Sequence, residues 1–296
     1  MPTINSRELA CWRQQQQQQA EAYGIAPQEL DWLLAEVAGI DRLCLRLLSP
    51  QIDQPLEVAA SLDHLTQLWQ KRLQTSLPVQ YLAGSTPWRQ FQIRVAPGVL
   101  IPRPETELIV DLAAQAVAIH PALQQGHWAD LGTGSGAIAL GLAAQFPLAQ
   151  IEAVDCSAEA LAIAQANAEQ VGLNRIHFHL GEWLEPLSNL RGQFSGIVSN
   201  PPYIPTAEVE TLQPEVRLHE PWLALDGGQD GLECLRRIIA SAPNYLQPDG
   251  ILLLEMMAGQ GEAVRDLLSK TQVFDQIEII HDLAGRDRFA QAVRRG

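Results

Sequence analysis

The sequence predicts an α/β protein: a doubly wound parallel sheet of seven strands that ends in an antiparallel hairpin, with a small all-helical domain before it. Three observations carry this. From about residue 105 onward, short apolar runs alternate with helical patterns, as a parallel sheet wrapped by helices requires. The last two runs, 276–281 and 288–293, are joined only by the turn 282–287. That turn is too short for a crossover, so the two strands should pair antiparallel. Upstream, leucines recur at helical rather than strand spacing.

In chain order, residues 1–77 are expected to form the helical domain. Leu30, Leu33, Leu34 and Val37 repeat at three- and four-residue steps, as do Leu62, Leu65 and Leu68, and Gly39 and Pro50 punctuate the segment. The run Gln14 to Gln19 reads as an exposed helix face or a tolerated expansion. Residues 78–104 read as a β-hairpin linker. Phe91 to Val95 alternate apolar and polar, and Gly84, Pro87, Pro97, Gly98, Pro102 and Pro104 break up the rest. Residues 105–296 form the main domain. Its strands are expected at 127–131, 150–155, 175–180, 194–199, 250–256, 276–281 and 288–293, and its helices near 105–119, 136–145, 157–171, 229–242 and 260–270.

Composition narrows the function. The 296 residues suffice for a large and a small domain. A formal net charge of -14 argues against a bare nucleic-acid binder and suits a basic protein partner. Cys11, Cys44, Cys156 and Cys234 lie far apart with no zinc spacing, as reduced thiols of a cytoplasmic protein would. No run of about 18 apolar residues is long enough to cross a membrane, and the N-terminus lacks a signal-peptide layout.

The richest stretch is Asn200-Pro201-Pro202-Tyr203, at the end of the fourth predicted strand. A residue before proline is driven out of the helical region, so Asn200 and Pro201 are both held extended. The prolines also remove two backbone donors. A side-chain amide and a backbone carbonyl are thereby fixed beside an aromatic ring, a grip for a planar group with two N–H donors such as an amide or an exocyclic amine. These four are the candidate substrate-binding residues, with Asn200, Pro201 and Tyr203 catalytic. A rigid turn without chemistry is the alternative.

The cofactor site is expected at the neighbouring strand ends. Asp130-Leu-Gly-Thr-Gly-Ser-Gly136 follows the first strand and opens a helix. Its glycines allow a tight turn and close backbone approach, and the helix N-terminus favours an anionic group. Asp155, ending the second strand, suits the two hydroxyls of a ribose, which NAD and S-adenosylmethionine both carry. Glu182 and Trp183, after the third strand, suit an adenine amine and ring, although Trp183 also reads as a core residue. The cofactor candidates are thus Gly132, Thr133, Gly134, Ser135, Gly136, Asp155, Glu182, Trp183 and Asn200. Asn-Pro-Pro-Tyr on the same crevice edge favours S-adenosylmethionine, because hydride transfer has no use for it. His177 and His179 share a strand face, but no third ligand is in view and no metal is expected.

Several stretches together resemble one family. They are Pro-Val-Gln-Tyr-Leu at 78–82, Leu-Ile-Pro-Arg-Pro-Glu-Thr-Glu at 100–107, 130–137, Val-Ser-Asn-Pro-Pro-Tyr at 198–203 and Glu-Pro-Trp-Leu-Ala-Leu at 220–225. The chain is similar here to the peptide-chain release factor glutamine N5-methyltransferases, most specifically at 101–107. The resemblance implies a class I S-adenosylmethionine-dependent methyltransferase fold, transfer of methyl to the amide of the release-factor Gly-Gly-Gln glutamine, and an N-terminal helical domain that contacts the release factor. It places Gly132 to Gly136, Asp155 and Trp183 on the cofactor and Asn200 to Tyr203 on the glutamine. Met256-Met-Ala-Gly259 replaces a more polar segment, and Glu182 stands where Asp is common. The rival readings are an adenine-N6 methyltransferase acting on DNA or RNA, which shares Asn-Pro-Pro-Tyr but wants a basic channel, and a non-catalytic adaptor that keeps the fold.

Overall fold

The computed structural model describes residues 2–296. It divides into two compact units, one of residues 2–85 and 213–219, the other of 86–212 and 220–296.

The first unit is mainly helical. Strand β1 (Thr3–Asn5) leads into α1 (Ser6–Ala22), α2 (Gln28–Ala38) and α3 (Arg42–Leu47); β2 (Pro55–Glu57) precedes α4 (Leu62–Thr75) and α5 (Val79–Ala83). Leu30, Leu33, Leu34, Leu65 and Trp69 are fully buried in its core, on the faces that the leucine spacing predicts. The unit is not all-helical. β1 and β2 pair antiparallel over three residues each, too short for period-two patterning to register. The glutamine run is not simply an exposed face either. Gln16 is buried, its side chain accepts from Gln70, and Gln17 reaches Asp31. Arg72, also buried, is held by a bidentate pair with Glu29.

The second unit opens with the hairpin β3 (Ser85–Trp88) and β4 (Phe91–Arg94). α6 (Leu108–Ile119) leads to β5 (Gly126–Leu131), α7 (Ala137–Gln145), β6 (Ala149–Asp155), α8 (Ala158–Gln170), β7 (Ile176–Leu180) and β8 (Phe194–Ser199). After the short helices α9 (Thr206–Val209) and α10 (Pro214–His219), the latter a part of the first unit, come α11 (Glu233–Ser241), β9 (Leu246–Glu255), α12 (Gly261–Lys270), β10 (Phe274–His281) and β11 (Asp287–Arg294). The boundary between units falls at 85/86 rather than 77/78, and 213–219 returns to the first unit. A backtrack of that kind leaves no composition signal.

The seven strands run in the order β10-β11-β9-β8-β5-β6-β7. β5 to β9 are parallel, and β10 and β11 form the antiparallel end. Asp282 closes their turn by accepting from the N–H groups of Ala284 and Arg286. The central strands are largely apolar because both faces are covered. Trp128 of β5 lies across β8, where a Cβ on Gly196 would meet its ring at 2.2 Å, so only glycine fits there.

Candidate functional site

A cleft of about 220 Å³ opens at the C-terminal ends of the parallel strands. β5 sits there between β6 and β8, where the strand order reverses, the point at which open α/β sheets bind ligands. Four strand ends contribute: Gly132 to Ser135 after β5, Asp155 of β6, Glu182 and Trp183 after β7, and Asn200 and Pro202 after β8.

The glycine turn forms because Gly132 and Gly134 take φ of 73° and 56°, a region costly for a side chain. A Cβ on Gly134 would meet no protein atom within 4 Å, so this backbone faces space that a ligand can fill. Asp130 pins the turn from beneath. Its Oδ2 accepts from the Thr133 hydroxyl at 2.6 Å and from the Ala139 N–H at 2.9 Å. Burial drives this carboxyl up to about 7 despite those bonds. Gly136 does not line the cleft. It precedes α7 and lies against Ala164, whose Cβ would be 3.0 Å from one on Gly136.

Asp155 is half-buried at the cleft wall. Its Oδ2 accepts from the Gly134 N–H at 2.8 Å and its Oδ1 from the Ser157 N–H at 2.9 Å. It is thus a second anchor of the glycine turn, which its position in the sequence did not suggest. A carboxylate offers about four lone-pair directions, so acceptor capacity remains for hydroxyls in the cleft. Ser157 caps α8 by accepting from the Ala160 N–H. Trp183 lines the cleft and packs against the sheet core. Glu182 lines the cleft too, but its carboxylate is ion-paired with Arg237 of α11.

The other half of the cleft is built differently. Asn200 and Pro202 line it, whereas Pro201 is buried and the Tyr203 ring turns into the core. Its hydroxyl donates to Glu255 Oε1 at 3.3 Å. Burial, then the Glu255 charge, pushes this phenol well above its ordinary value, so it stays protonated. Asn200 Nδ2 donates to Thr106 Oγ1 at 3.3 Å, and its Oδ1 accepts no hydrogen bond among the described residues. The Pro201 carbonyl likewise accepts none.

The backbone after Tyr203 is stapled. Gln260 Nε2 donates to the Tyr203 carbonyl at 3.0 Å, the Ile204 N–H to Leu225 O at 3.1 Å, and the Gly227 N–H to Ile204 O at 2.8 Å. A Cβ on Gly227 would come within 2.7 Å of Tyr203 Cα. The Asp226-Gly-Gly228 loop therefore braces Asn-Pro-Pro-Tyr. Arg103 completes the frame with a 2.7 Å pair to Glu220, whose side chain is 1% exposed.

Thr106, Glu255 and Arg237 were not singled out from sequence. Thr106 lies inside the 101–107 signature, which gave no role to any one of its residues. Glu255 had a signal: a lone carboxylate ending the apolar run Ile251 to Leu254. Arg237 had none. His177 and His179 meet His127 around the buried Glu152 carboxylate, at 3.2, 2.7 and 2.9 Å. Among the described residues no cluster is arranged to hold a metal.

A seven-stranded sheet with an antiparallel end, and a glycine turn facing Asn-Pro-Pro-Tyr across its switch point, define a class I S-adenosylmethionine-dependent methyltransferase. Residues 106–215 match the methyltransferase small domain family. The Thermus thermophilus 16S rRNA methyltransferase RsmC, solved with AdoMet and guanosine, is similar in fold, with a TM-score of 0.51 at 20% identity over 71% of this chain and 50% of its own. The release factor glutamine methyltransferase of Synechocystis sp. is 49% identical over 98% of this chain and 97% of its own length. That of Thermosynechococcus vestitus is 52% identical over 89% and 90%. The chain belongs to the release factor glutamine methyltransferase family. The described helices include none long and apolar enough to cross a membrane.

Proposed function

We propose that this enzyme methylates the side-chain amide nitrogen of the glutamine in the Gly-Gly-Gln motif of peptide-chain release factors, in the cytoplasm. The observation that carries the reading is the pair of open acceptors, Asn200 Oδ1 and the Pro201 carbonyl, on adjacent residues at the cleft.

S-adenosylmethionine supplies, when bound, a sulfonium methyl that needs no metal to be electrophilic. The residues fit it: the glycine turn offers backbone and open space, Asp155 has acceptor capacity left for the ribose, and Trp183 presents a ring. The remaining problem is the nucleophile. An amide nitrogen shares its lone pair with its carbonyl. Asn200 Oδ1 and the Pro201 carbonyl accept its two N–H bonds and aim the lone pair into the cleft. As positive charge develops on nitrogen these bonds strengthen, which stabilises the transition state selectively. A hydrogen bond to a charged group is worth about 1.5–3 kcal/mol, or roughly one to two decades in rate. Positioning adds to this. No general base is required, because the nitrogen becomes acidic as it is methylated and loses its proton late. Tyr203 acts from behind, holding the turn rather than stacking on the substrate. Residues 1–77 are assigned to recognition of the release factor, and the acidic surface to attracting a basic partner.

Incubation of the purified protein with S-adenosylmethionine and a release factor, followed by mass spectrometry of the Gly-Gly-Gln peptide, is expected to show one added methyl on the glutamine. An unmodified peptide beside labelled nucleic acid would overturn the assignment.

A further inference from the structure

Gln260 ties together three loops behind the Asn-Pro-Pro-Tyr turn. It is buried and immediately precedes α12. Its Nε2 donates to the Tyr203 carbonyl at 3.0 Å and to the Gly231 carbonyl at 3.3 Å, and its Oε1 accepts from the Met257 N–H at 3.0 Å. The loops after β8, before α11 and after β9 thus meet on one side-chain amide. Asp287 of β11 fixes the backbone on both sides of it, accepting from the Gly259 N–H at 2.8 Å and the Gly261 N–H at 2.9 Å. Gly231 makes the close approach possible: a Cβ there would overlap the Tyr203 carbonyl oxygen and come within 2.7 Å of Gln260 Nε2.

The partners fix the polarity of this amide. Two are backbone carbonyls and one is a backbone N–H, so Nε2 and Oε1 cannot exchange places without losing all three bonds. The prolines carry the consequence toward the substrate. Pro201 and Pro202 bring no N–H groups to the turn. Among the described residues, Gln260 is the one side chain that hydrogen-bonds the backbone of residues 200–203. Proline rings, and the restricted residues before them, leave that turn few soft torsions. A shift of the Tyr203 carbonyl is therefore passed on to the Pro201 carbonyl and Asn200 rather than absorbed between them. Gln260 itself does not line the cleft.

We propose that Gln260 is a positioning residue of the transfer reaction: by holding the Tyr203 carbonyl it sets where Asn200 Oδ1 and the Pro201 carbonyl stand relative to the bound cofactor. This rests on the reading of those two acceptors as the grip on the substrate amide. None of the three partners of Gln260 belongs to the glycine turn, Asp155 or Trp183, so its loss should lower kcat and leave cofactor affinity alone. Gln260→Glu makes the contact titratable. The protonated carboxyl still donates to one of the two carbonyls and accepts from Met257. Ionised, it can only accept, and it faces two carbonyls. Burial raises such a carboxyl. Of the charged groups on the segments that pack here, Arg288 of β11, bonded to the Met256 carbonyl, opposes that shift; Asp287 of β11, Glu255 of β9 and Asp230, paired with Arg236, add to it.

The test compares the full-length wild type with Gln260→Glu and Gln260→Met at saturating S-adenosylmethionine, with a release factor as methyl acceptor. The kcat of Gln260→Glu is expected to lie within about threefold of wild type at about pH 6 and to fall about tenfold further behind it by about pH 8.5. Cofactor affinity measured by calorimetry stays within about twofold of wild type throughout. Gln260→Met, which keeps the length and removes both polar atoms, is expected to lose about tenfold in kcat at every pH; it decides the matter if Gln260→Glu fails to fold. In protein labelled with ¹⁵N-asparagine, the Asn200 side-chain signal is identified by its loss in Asn200→Ala. That signal should be displaced from its wild-type position in Gln260→Met, and in Gln260→Glu it should move with pH through the same transition as kcat. Variants with the wild-type kcat and pH profile would overturn the proposal, as would an Asn200 signal unchanged in both. If the wild type modifies no release factor, the assignment of substrate fails alone, and the Asn200 signal still decides whether Gln260 places the turn.

Discussion

The two halves of the cleft solve opposite problems. The cofactor half, at the ends of β5, β6 and β7, is made of exposed backbone and carboxylates in reach of solvent. Gly134 faces open space, Asp155 is half-buried, and Glu182 is exposed with an arginine partner. The acceptor half, at the ends of β8 and β9, is made of prolines and buried polar side chains that touch one another. Asn200 is held by a bond to the buried Thr106, and the Tyr203 hydroxyl by one to the buried Glu255. The first half offers backbone, carboxylates and a ring at separate points. The second presents two acceptors on adjacent residues. On the proposed function, binding energy is dispersed on one side and transition-state stabilisation is localised on the other.

That contrast can be broken at single residues. The largest effect is expected for Asn200→Ala: methyl transfer at saturating cofactor should fall roughly a hundredfold or more, the size of losing one preorganised hydrogen-bonding group, while cofactor affinity changes little. Activity within threefold of wild type would remove Asn200 from the chemistry. Asp155→Ala should do the reverse. It deletes an anchor of the glycine turn and the carboxylate proposed to hold the ribose, so cofactor affinity measured by calorimetry should drop about tenfold or more, with much of the rate recovered at high cofactor. An unchanged affinity would take Asp155 off the ribose.

Smaller effects sharpen the picture. Asp130 and Glu255 both carry folded-state values raised to about 7 by burial. A raised acid lends stability fully below its ordinary value, and that stability is lost as pH rises through the folded value. Melting temperature should therefore decline from about pH 5 to pH 8, and Asp130→Asn should flatten part of the decline. A wild-type profile that rises across this window would contradict the burial argument. Arg237→Ala is expected to change activity least, within about twofold, because its pair with Glu182 is half-exposed and such pairs contribute little. A tenfold loss would mean that the pair contacts the cofactor directly.

The same contrast explains what could be read without a structure. The cofactor half is local in sequence: a strand, a glycine turn and a helix within twenty residues, then Asp155 at the next strand end. Periodicity and turn chemistry find such features, and the sheet with its terminal hairpin was legible for the same reason. The acceptor half is not local. Asn200-Pro201-Pro202-Tyr203 announced itself through its prolines, but Thr106 lies 94 residues upstream of Asn200 and Glu255 lies 52 beyond Tyr203. Their meeting depends on β8 lying beside β9, which no spacing rule gives. The partner of the Tyr203 hydroxyl was illegible for a related reason: Glu255 comes from the next strand of the sheet. Gly136 was grouped with its neighbours by pattern, although its job is to let α8 approach α7.

The central claim is that two acceptors on consecutive residues receive both N–H bonds of the substrate amide. It is tested most directly by NMR of a release factor carrying a ¹⁵N-labelled glutamine amide in its Gly-Gly-Gln motif, bound to the enzyme with the demethylated product cofactor in place of S-adenosylmethionine. Both side-chain amide protons are expected to move downfield and to exchange slowly with solvent, and both changes should diminish in Asn200→Ala. Amide protons that keep their free-state shifts and exchange rates in the bound complex would contradict the account.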